Sequence, residues 1–291
     1  MTTALIFGAN GQDGFYLSQL LQQQGLQVIP VSRKGNVIKA DVADYEAVRS
    51  LLQQHKPDYI FHLAANSTTR HDALFENHAT ISTGTLNILE AVRLICPAAK
   101  VFISGSGLQF KNEDLPIKET DAFDARDAYS VSRIHSVYAA RYYRKLGIKT
   151  YVGYFFNHDS PRRSDRHVCK MIANAVKKIA KGEHTLIEIG DMTVRKEWGF
   201  AGDIAAAAWT LIQQDSIHEA VLGTGEAYSI KDYIEVCFDI IQKDWTGYVK
   251  PVEGFKAEYR QLVSDPATIL SLGWRPSTSF RQLAELMLTA E

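Results

Sequence analysis

Gly8-Ala9-Asn10-Gly11-Gln12-Asp13-Gly14 is the stretch on which the reading of this chain turns. Before it runs Ala4–Phe7, a continuous apolar segment of the kind that forms a strand buried on both faces. After it, Phe15, Leu17, Leu20 and Leu21 fall at helical spacing, and Gly25 supplies a stop. A glycine-rich turn between strand and helix gathers backbone N–H groups at the positive end of a helix dipole, which suits a pyrophosphate. Gly8 permits a turn that a side chain would block, and Gly14 lets the helix pack close to the sheet. The spacing is G-x-x-G-x-x-G, one residue longer at the front than the commonest dinucleotide fingerprint. Gly8, Asn10, Gly11, Gln12, Asp13 and Gly14 are the first cofactor-binding candidates.

Outward from this turn, short apolar runs alternate with helix-period segments. Gln27–Val31, Tyr59–Leu63, Val101–Ser104 and Thr150–Phe156 read as strands. Gln12–Gln24, Asp44–His55, Ala79–Ile95 and Ala128–Leu146 read as helices, the third ended by Pro97. Such alternation predicts parallel βαβ units with right-handed crossovers. The second half is less regular, with helices expected over Val168–Lys181, Gly202–Gln214, Ile230–Gln242 and Phe280–Thr289. The expected fold class is α/β: a Rossmann-type doubly wound parallel sheet with a smaller C-terminal α/β substrate lobe. Residues 1–156, with 190–214 crossing back, are assigned to the first domain. Residues 157–189 and 215–291 are assigned to the lobe.

The chain has 291 residues, 46% of them hydrophobic, enough for one large core with a smaller lobe attached. A formal net charge of −1 gives no bulk attraction to nucleic acid or to an acidic membrane. No apolar run approaches the roughly 20 residues of a membrane span. The N-terminus lacks the basic region of a signal peptide, and with no oxidising cysteine signature the expected location is the cytoplasm. Cys96, Cys169 and Cys237 are far apart and follow no C-x-x-C spacing, so neither a disulfide framework nor a metal site is expected.

Cofactor choice is read at the end of the second strand, where an acid would bind the ribose 2′-hydroxyl of NAD. The segment here is Val31-Ser32-Arg33-Lys34. A guanidinium suits a 2′-phosphate, so Arg33 favours NADP, with NAD as the alternative. Asp41 and Val42 follow, where such folds often flank the adenine.

Several segments now resemble one family: the extended short-chain dehydrogenases/reductases, in their GDP-mannose 4,6-dehydratase-like branch. Gly11-Gln12-Asp13-Gly14-Phe15-Tyr16-Leu17 looks like that branch's GQDGxYL. His62-Leu63-Ala64-Ala65 resembles a strand-end motif generic to the superfamily, adding Leu63, Ala64 and Ala65 to the cofactor candidates. Phe156-Asn157-His158-Asp159-Ser160-Pro161-Arg162-Arg163 resembles the more specific FNHESPRR. Arg195-Lys196-Glu197-Trp198-Gly199 resembles KRDWG, and Leu222–Glu226 and Asp265–Trp274 resemble C-terminal signposts. The likeness covers nearly the whole chain. It implies a nucleotide-diphosphate sugar, such as a GDP-hexose, held between two lobes and exchanging hydride with a nicotinamide. It implies substrate contacts from Asn157, Arg162, Arg163, Arg195 and Lys196. The family often has an arginine where Phe255 stands here, and Lys256 is the candidate substitute.

The same resemblance implies a catalytic Ser/Thr, Tyr and Lys acting together. Tyr129 opens Tyr129-Ser130-Val131-Ser132-Arg133, and four-residue spacing puts both ends on one helix face. The second member is Arg133, not lysine. It keeps a permanent positive charge beside the phenol but cannot relay protons. The Ser/Thr lies within Ser104-Gly105-Ser106-Gly107-Leu108-Gln109-Phe110. An alignment with one deletion gives Ser106 that role, and an ungapped one gives Gly105. Either removes the dehydratase glutamate, whose place falls to Leu108 or Gly107. A 4,6-dehydratase needs that carboxylate to move protons at C5 and C6.

Three readings follow. The chain is a nucleotide-sugar keto-reductase or epimerase, which needs only Ser106, Tyr129 and cofactor; a 4,6-dehydratase; or a cofactor-binding protein with little catalysis. Ala79–Ile95 and Ala128–Leu146 carry apolar residues on more than one face. By the family likeness such helices pair between subunits, and a homodimer is expected.

Overall fold

A computed structural model of the chain describes residues 1–290. Six strands are built first: β1 Thr3–Phe7, β2 Gln27–Ser32, β3 Ile38–Lys39, β4 Tyr59–His62, β5 Lys100–Ser106 and β6 Lys149–Phe155. With Glu219–Leu222 they form one sheet in the order Glu219–Leu222, β6, β5, β4, β1, β2, β3. Every pairing in it is parallel. The expected Rossmann-type α/β fold is observed. Strand order reverses beside β1, between β2 and β4, and the crevice beyond the strand ends at such a reversal is where α/β folds take ligands.

Alternating side chains of the sheet feed two cores. On one face Leu5, Phe7, Val31, Ile60, Val101 and Ile103 pack together. They meet helices α2 Tyr45–His55, α4 Gly84–Ile95 and α5 Ala128–Lys145 through residues such as Leu52, Ile88 and Val137. On the other face Ala4, Ile6, Phe61 and Phe102 meet α1 Gln12–Gln23 and α7 Ala201–Ile212. A third core lies in the smaller lobe. There α6 Val168–Ala180, α8 Ile230–Ile240 and α10 Phe280–Thr289 pack around Trp198, which stacks on Tyr233.

Two differences from expectation have physical causes. Glu219–Leu222 and α9 Ala267–Ser271 belong with the first domain, not the lobe. Ala220, Val221 and Leu222 are fully buried in the sheet, and Ile269 and Trp274 pack into the second face. The expected helix over Ala79–Ile95 is regular only from Gly84. The short helix α3 Leu74–Asn77 leads into a wider π turn over His78–Thr83. Hydroxyls enter its ladder: Thr85 and Ser136 both donate to the Ile81 carbonyl, and Ser82 donates to that of Ser132.

Candidate active site

Gly8 has a φ of +90°, and a Cβ there would lie 2.6 Å from the Ala64 nitrogen. The turn therefore closes against the end of β4 only as glycine. A Cβ at Gly14 would overlap the Gly8 carbonyl oxygen, which fixes how closely α1 sits on β1. Gly11 caps α1 without a side chain, so the first-turn N–H groups of α1 meet no capping side chain. Gly8, Gly11, Arg33, Asp41, Val42 and the Leu63–Ala65 segment line one cleft. Asn10 does not line it; its amide donates to the Lys34 carbonyl and ties the turn to the loop after β2.

The second cleft adjoins the first and holds Gln12 and Asp13 beside the candidate reaction centre. Asp127 caps α5, accepting from the nitrogens of Tyr129 at 2.9 Å and Ser130 at 2.7 Å, and Ser130 returns a bond. That capping box fixes Tyr129 in the first turn, facing the cleft. Arg133 is buried one turn later, its Cζ 5.0 Å from the Tyr129 ring centroid. Its Nη1 donates to the Ser104 hydroxyl at 2.8 Å and to the Ser104 carbonyl. The Ser104 hydroxyl donates in turn to the His62 carbonyl at 2.9 Å. Burial, with the Arg133 charge beside it, pushes the His62 imidazole down to about 3, so His62 is neutral near pH 7. Arg133 forms no ion pair with a carboxylate among the described residues.

The strand's alternation distinguishes the two alignments geometrically. A Cβ at Gly105 would run into the Tyr154 ring at 2.6 Å, and one at Gly107 would meet Phe156 at 3.0 Å. Gly105 therefore borders the cleft with backbone alone, whereas Ser106 and Leu108 line it with side chains beside Tyr129. Ser106 is held by a local box: its oxygen accepts from the Leu108 nitrogen, and its nitrogen donates to Gln109.

Of the substrate candidates, Asn157 and Arg163 line this cleft. The other four do not. Arg162 stacks on Phe15, with Cζ 3.9 Å from the ring centroid, a cation–π contact. Arg195 donates to the Ala227 carbonyl and faces Asp232 at 3.9 Å. Lys196 is buried over Trp198, 4.4 Å from its ring centroid, and Lys256 is exposed on the surface.

Other cleft residues carried no sequence signal of their own. Thr68 and Thr69 come from a loop, His167 from the cap of α6, and Leu262 from the short strand Gln261–Leu262. Arg163 Nη2 lies 3.3 Å from His167 Nδ1, and burial together with Arg163 pushes the His167 imidazole down to about 4. Among the described residues, Asp13 is the only carboxylate on the wall, and His158 engages it at 2.8 Å. Gln12 is clipped to the same segment, accepting from the Ser160 hydroxyl at 3.0 Å.

This sheet, its crevice and the Tyr129/Arg133 helix define an extended short-chain dehydrogenase/reductase. The family model for GDP-mannose 4,6 dehydratase matches residues 30–287. The chain belongs to that family, which is one of enzymes acting on nucleotide sugars. It is 30% identical to GDP-mannose 4,6 dehydratase 1 of Arabidopsis thaliana, over 98% of this chain and 88% of that one. It is 28% identical to the GDP-mannose 4,6-dehydratase of Vibrio cholerae, over 98% and 92%. Among solved structures, RMD of Pseudomonas aeruginosa, complexed with NADPH, superposes with a TM-score of 0.86 at 22% identity, covering 99% of this chain and 97% of that one. The Thermus thermophilus UDP-glucose 4-epimerase complex with NAD gives 0.85 at 20%, covering 99% and 98%. At these identities the structural likeness shows the fold.

Proposed function

We propose that the chain is an NADP-dependent oxidoreductase acting on a nucleotide-diphosphate sugar, such as a GDP-hexose, as a keto-reductase or epimerase through Tyr129. The observation that carries this reading is the cleft wall. Ser106, Leu108 and Tyr129 share it, and its carboxylate, Asp13, is engaged by His158.

The open first turn of α1 and the glycine contacts against Ala64 suit a dinucleotide pyrophosphate. Gly8, Gly11, Gln12, Asp13 and Leu63–Ala65 would surround it, and Arg33 would meet a 2′-phosphate. A reduced nicotinamide held by these residues would supply the hydride for reduction of a carbonyl carbon. Tyr129 gives the proton to the carbonyl oxygen, and Ser106 donates a hydrogen bond to that same oxygen. Arg133 stays charged throughout and holds α5 to β5 through Ser104. Asn157 and Arg163 would contact the sugar nucleotide from the lobe side, the guanidinium pairing with diphosphate.

The second reading, a GDP-mannose 4,6-dehydratase, draws on the family match. Incubation with NADP and GDP-mannose, followed by mass spectrometry, separates the two. The first reading expects no 4-keto-6-deoxy product; its formation would establish the second.

A homodimer completes the proposal. Val131, Tyr138 and Tyr142 fall on one stripe of α5 and are exposed, as is Leu86 of α4. Light scattering at micromolar concentration should give twice the chain mass, and Tyr138→Glu should give the monomer. Cytoplasmic residence belongs to the same reading; no helix among the described residues is long and apolar enough to cross a membrane.

A further inference from the structure

The end of β2 carries no acid, but the fold brings one there from a distance. Glu76, in α3 after β4, places Oε1 3.3 Å from Arg33 Nη2. Its other oxygen accepts from Asn66 Nδ2 at 3.0 Å, which steadies the carboxylate. Both Arg33 and Glu76 are about half exposed. Arg33 lines the cleft that suits the adenosine half of a dinucleotide. The nearer acid of that cleft, Asp41, is turned to its own chain and accepts from the Ala43 nitrogen at 3.0 Å.

We propose that Glu76 is a specificity-determining residue for the cofactor, competing with a ribose 2′-phosphate for Arg33 and accepting from a free ribose 2′-hydroxyl in its absence. The inference rests on the dinucleotide reading above. An exposed ion pair is weak and salt-screened, so a phosphate with nearly two negative charges takes Arg33 from it. The displaced carboxylate then faces that phosphate, which lowers its affinity. A 2′-hydroxyl requires no displacement and finds an acceptor of the kind that Rossmann folds usually carry on β2. The site is therefore less exclusive for a phosphorylated ribose than Ser32-Arg33-Lys34 implies.

The test uses 2′,5′-ADP, 5′-ADP, NADPH and NADH as probes, titrated calorimetrically into the whole wild-type chain and into Glu76→Gln. The exposed amide keeps the shape of the side chain. At low salt, Glu76→Gln should tighten 2′,5′-ADP and NADPH by about threefold to fivefold. It should leave 5′-ADP and NADH unchanged or weaker, and high salt should shrink the gain. An unchanged ratio of the 2′,5′-ADP and 5′-ADP dissociation constants overturns the inference. A wild type that binds none of the four probes overturns the dinucleotide reading beneath it.

Discussion

His158 Nε2 lies 2.8 Å from Asp13 Oδ1, and His158 Nδ1 lies 2.7 Å from the Phe156 carbonyl oxygen. Both partners are acceptors, so both ring nitrogens donate and the ring is an imidazolium. The pair joins segments 145 residues apart, the phosphate-binding turn and the loop that leads to Arg163. Burial opposes charge on both groups, and their mutual attraction outweighs it. Asp13 is held below the usual carboxylate value and His158 above the usual histidine value, while nearby Arg163 favours the first and opposes the second.

That pair predicts a pH window. The Asp13 share of stability is present above its unfolded value of 3.8 and is lost as pH falls through the lower folded value. The His158 share is complete below 6.5 and is lost as pH rises through the higher folded value. Asp13→Asn should cost about 1–3 kcal/mol between roughly pH 4 and 6.5, and less on the alkaline side. Thermal melts of both proteins across pH measure the gap. A gap that stays constant from pH 5.5 to strongly alkaline conditions contradicts a charged pair.

Gly8→Ala should damage the turn itself. The new Cβ meets backbone, which cannot swing aside, and φ stays in the left-handed region. A loss of more than about 2 kcal/mol is expected, with cofactor binding lost as well. Denaturant titration measures the first. A variant within about half a kcal/mol of wild type would mean that the turn has room for a side chain.

Tyr129→Phe should lower kcat/KM by a factor on the order of 10² to 10⁴ and leave the cofactor dissociation constant nearly unchanged. The ring still fills its place beside Arg133, so folding should persist. Steady-state kinetics with paired binding titrations make the distinction. Equal losses in binding and turnover would assign Tyr129 to packing.

Arg133→Lys tests the departure from lysine. The buried Nε of Arg133 has no acceptor among the described residues, a costly arrangement that lysine removes. Lysine also restores a group able to lose its proton. The variant should raise kcat several-fold, read by initial rates. An unchanged or lower kcat contradicts the view that the guanidinium slows the chemistry.

Local signals carried the sequence reading, and long-range ones escaped it. The glycine spacing of Gly8–Gly14 and the apolar periodicity of Ala128–Leu146 are patterns within a few residues, so the turn and the helix showed in the sequence. Phe280–Thr289 was legible to its last residue for the same reason. The return of Glu219–Leu222 to the sheet depends on a partner strand some 70 residues earlier, and three buried apolar residues do not name it. The π turn at His78–Thr83 meets α5 in both directions, accepting from the Ser136 hydroxyl and donating from Ser82 to the Ser132 carbonyl, contacts made some 50 residues away in sequence. Position in a motif does not show where a guanidinium lies. Arg162 sits on Phe15, and Arg195 donates to the Ala227 carbonyl of a neighbouring strand. Asp13 and His158 were both visible in their motifs, yet nothing local shows that they touch.

The central claim is that this cleft performs hydride chemistry on a nucleotide sugar without the dehydratase carboxylate. The most direct measurement adds a 4-keto-6-deoxy GDP-hexose to the protein with NADPH and follows absorbance at the nicotinamide band. The account predicts oxidation of one NADPH per sugar reduced, abolished in Tyr129→Phe. Absence of oxidation in the wild type, together with conversion of GDP-mannose to a 4-keto-6-deoxy product by the same preparation, would contradict it.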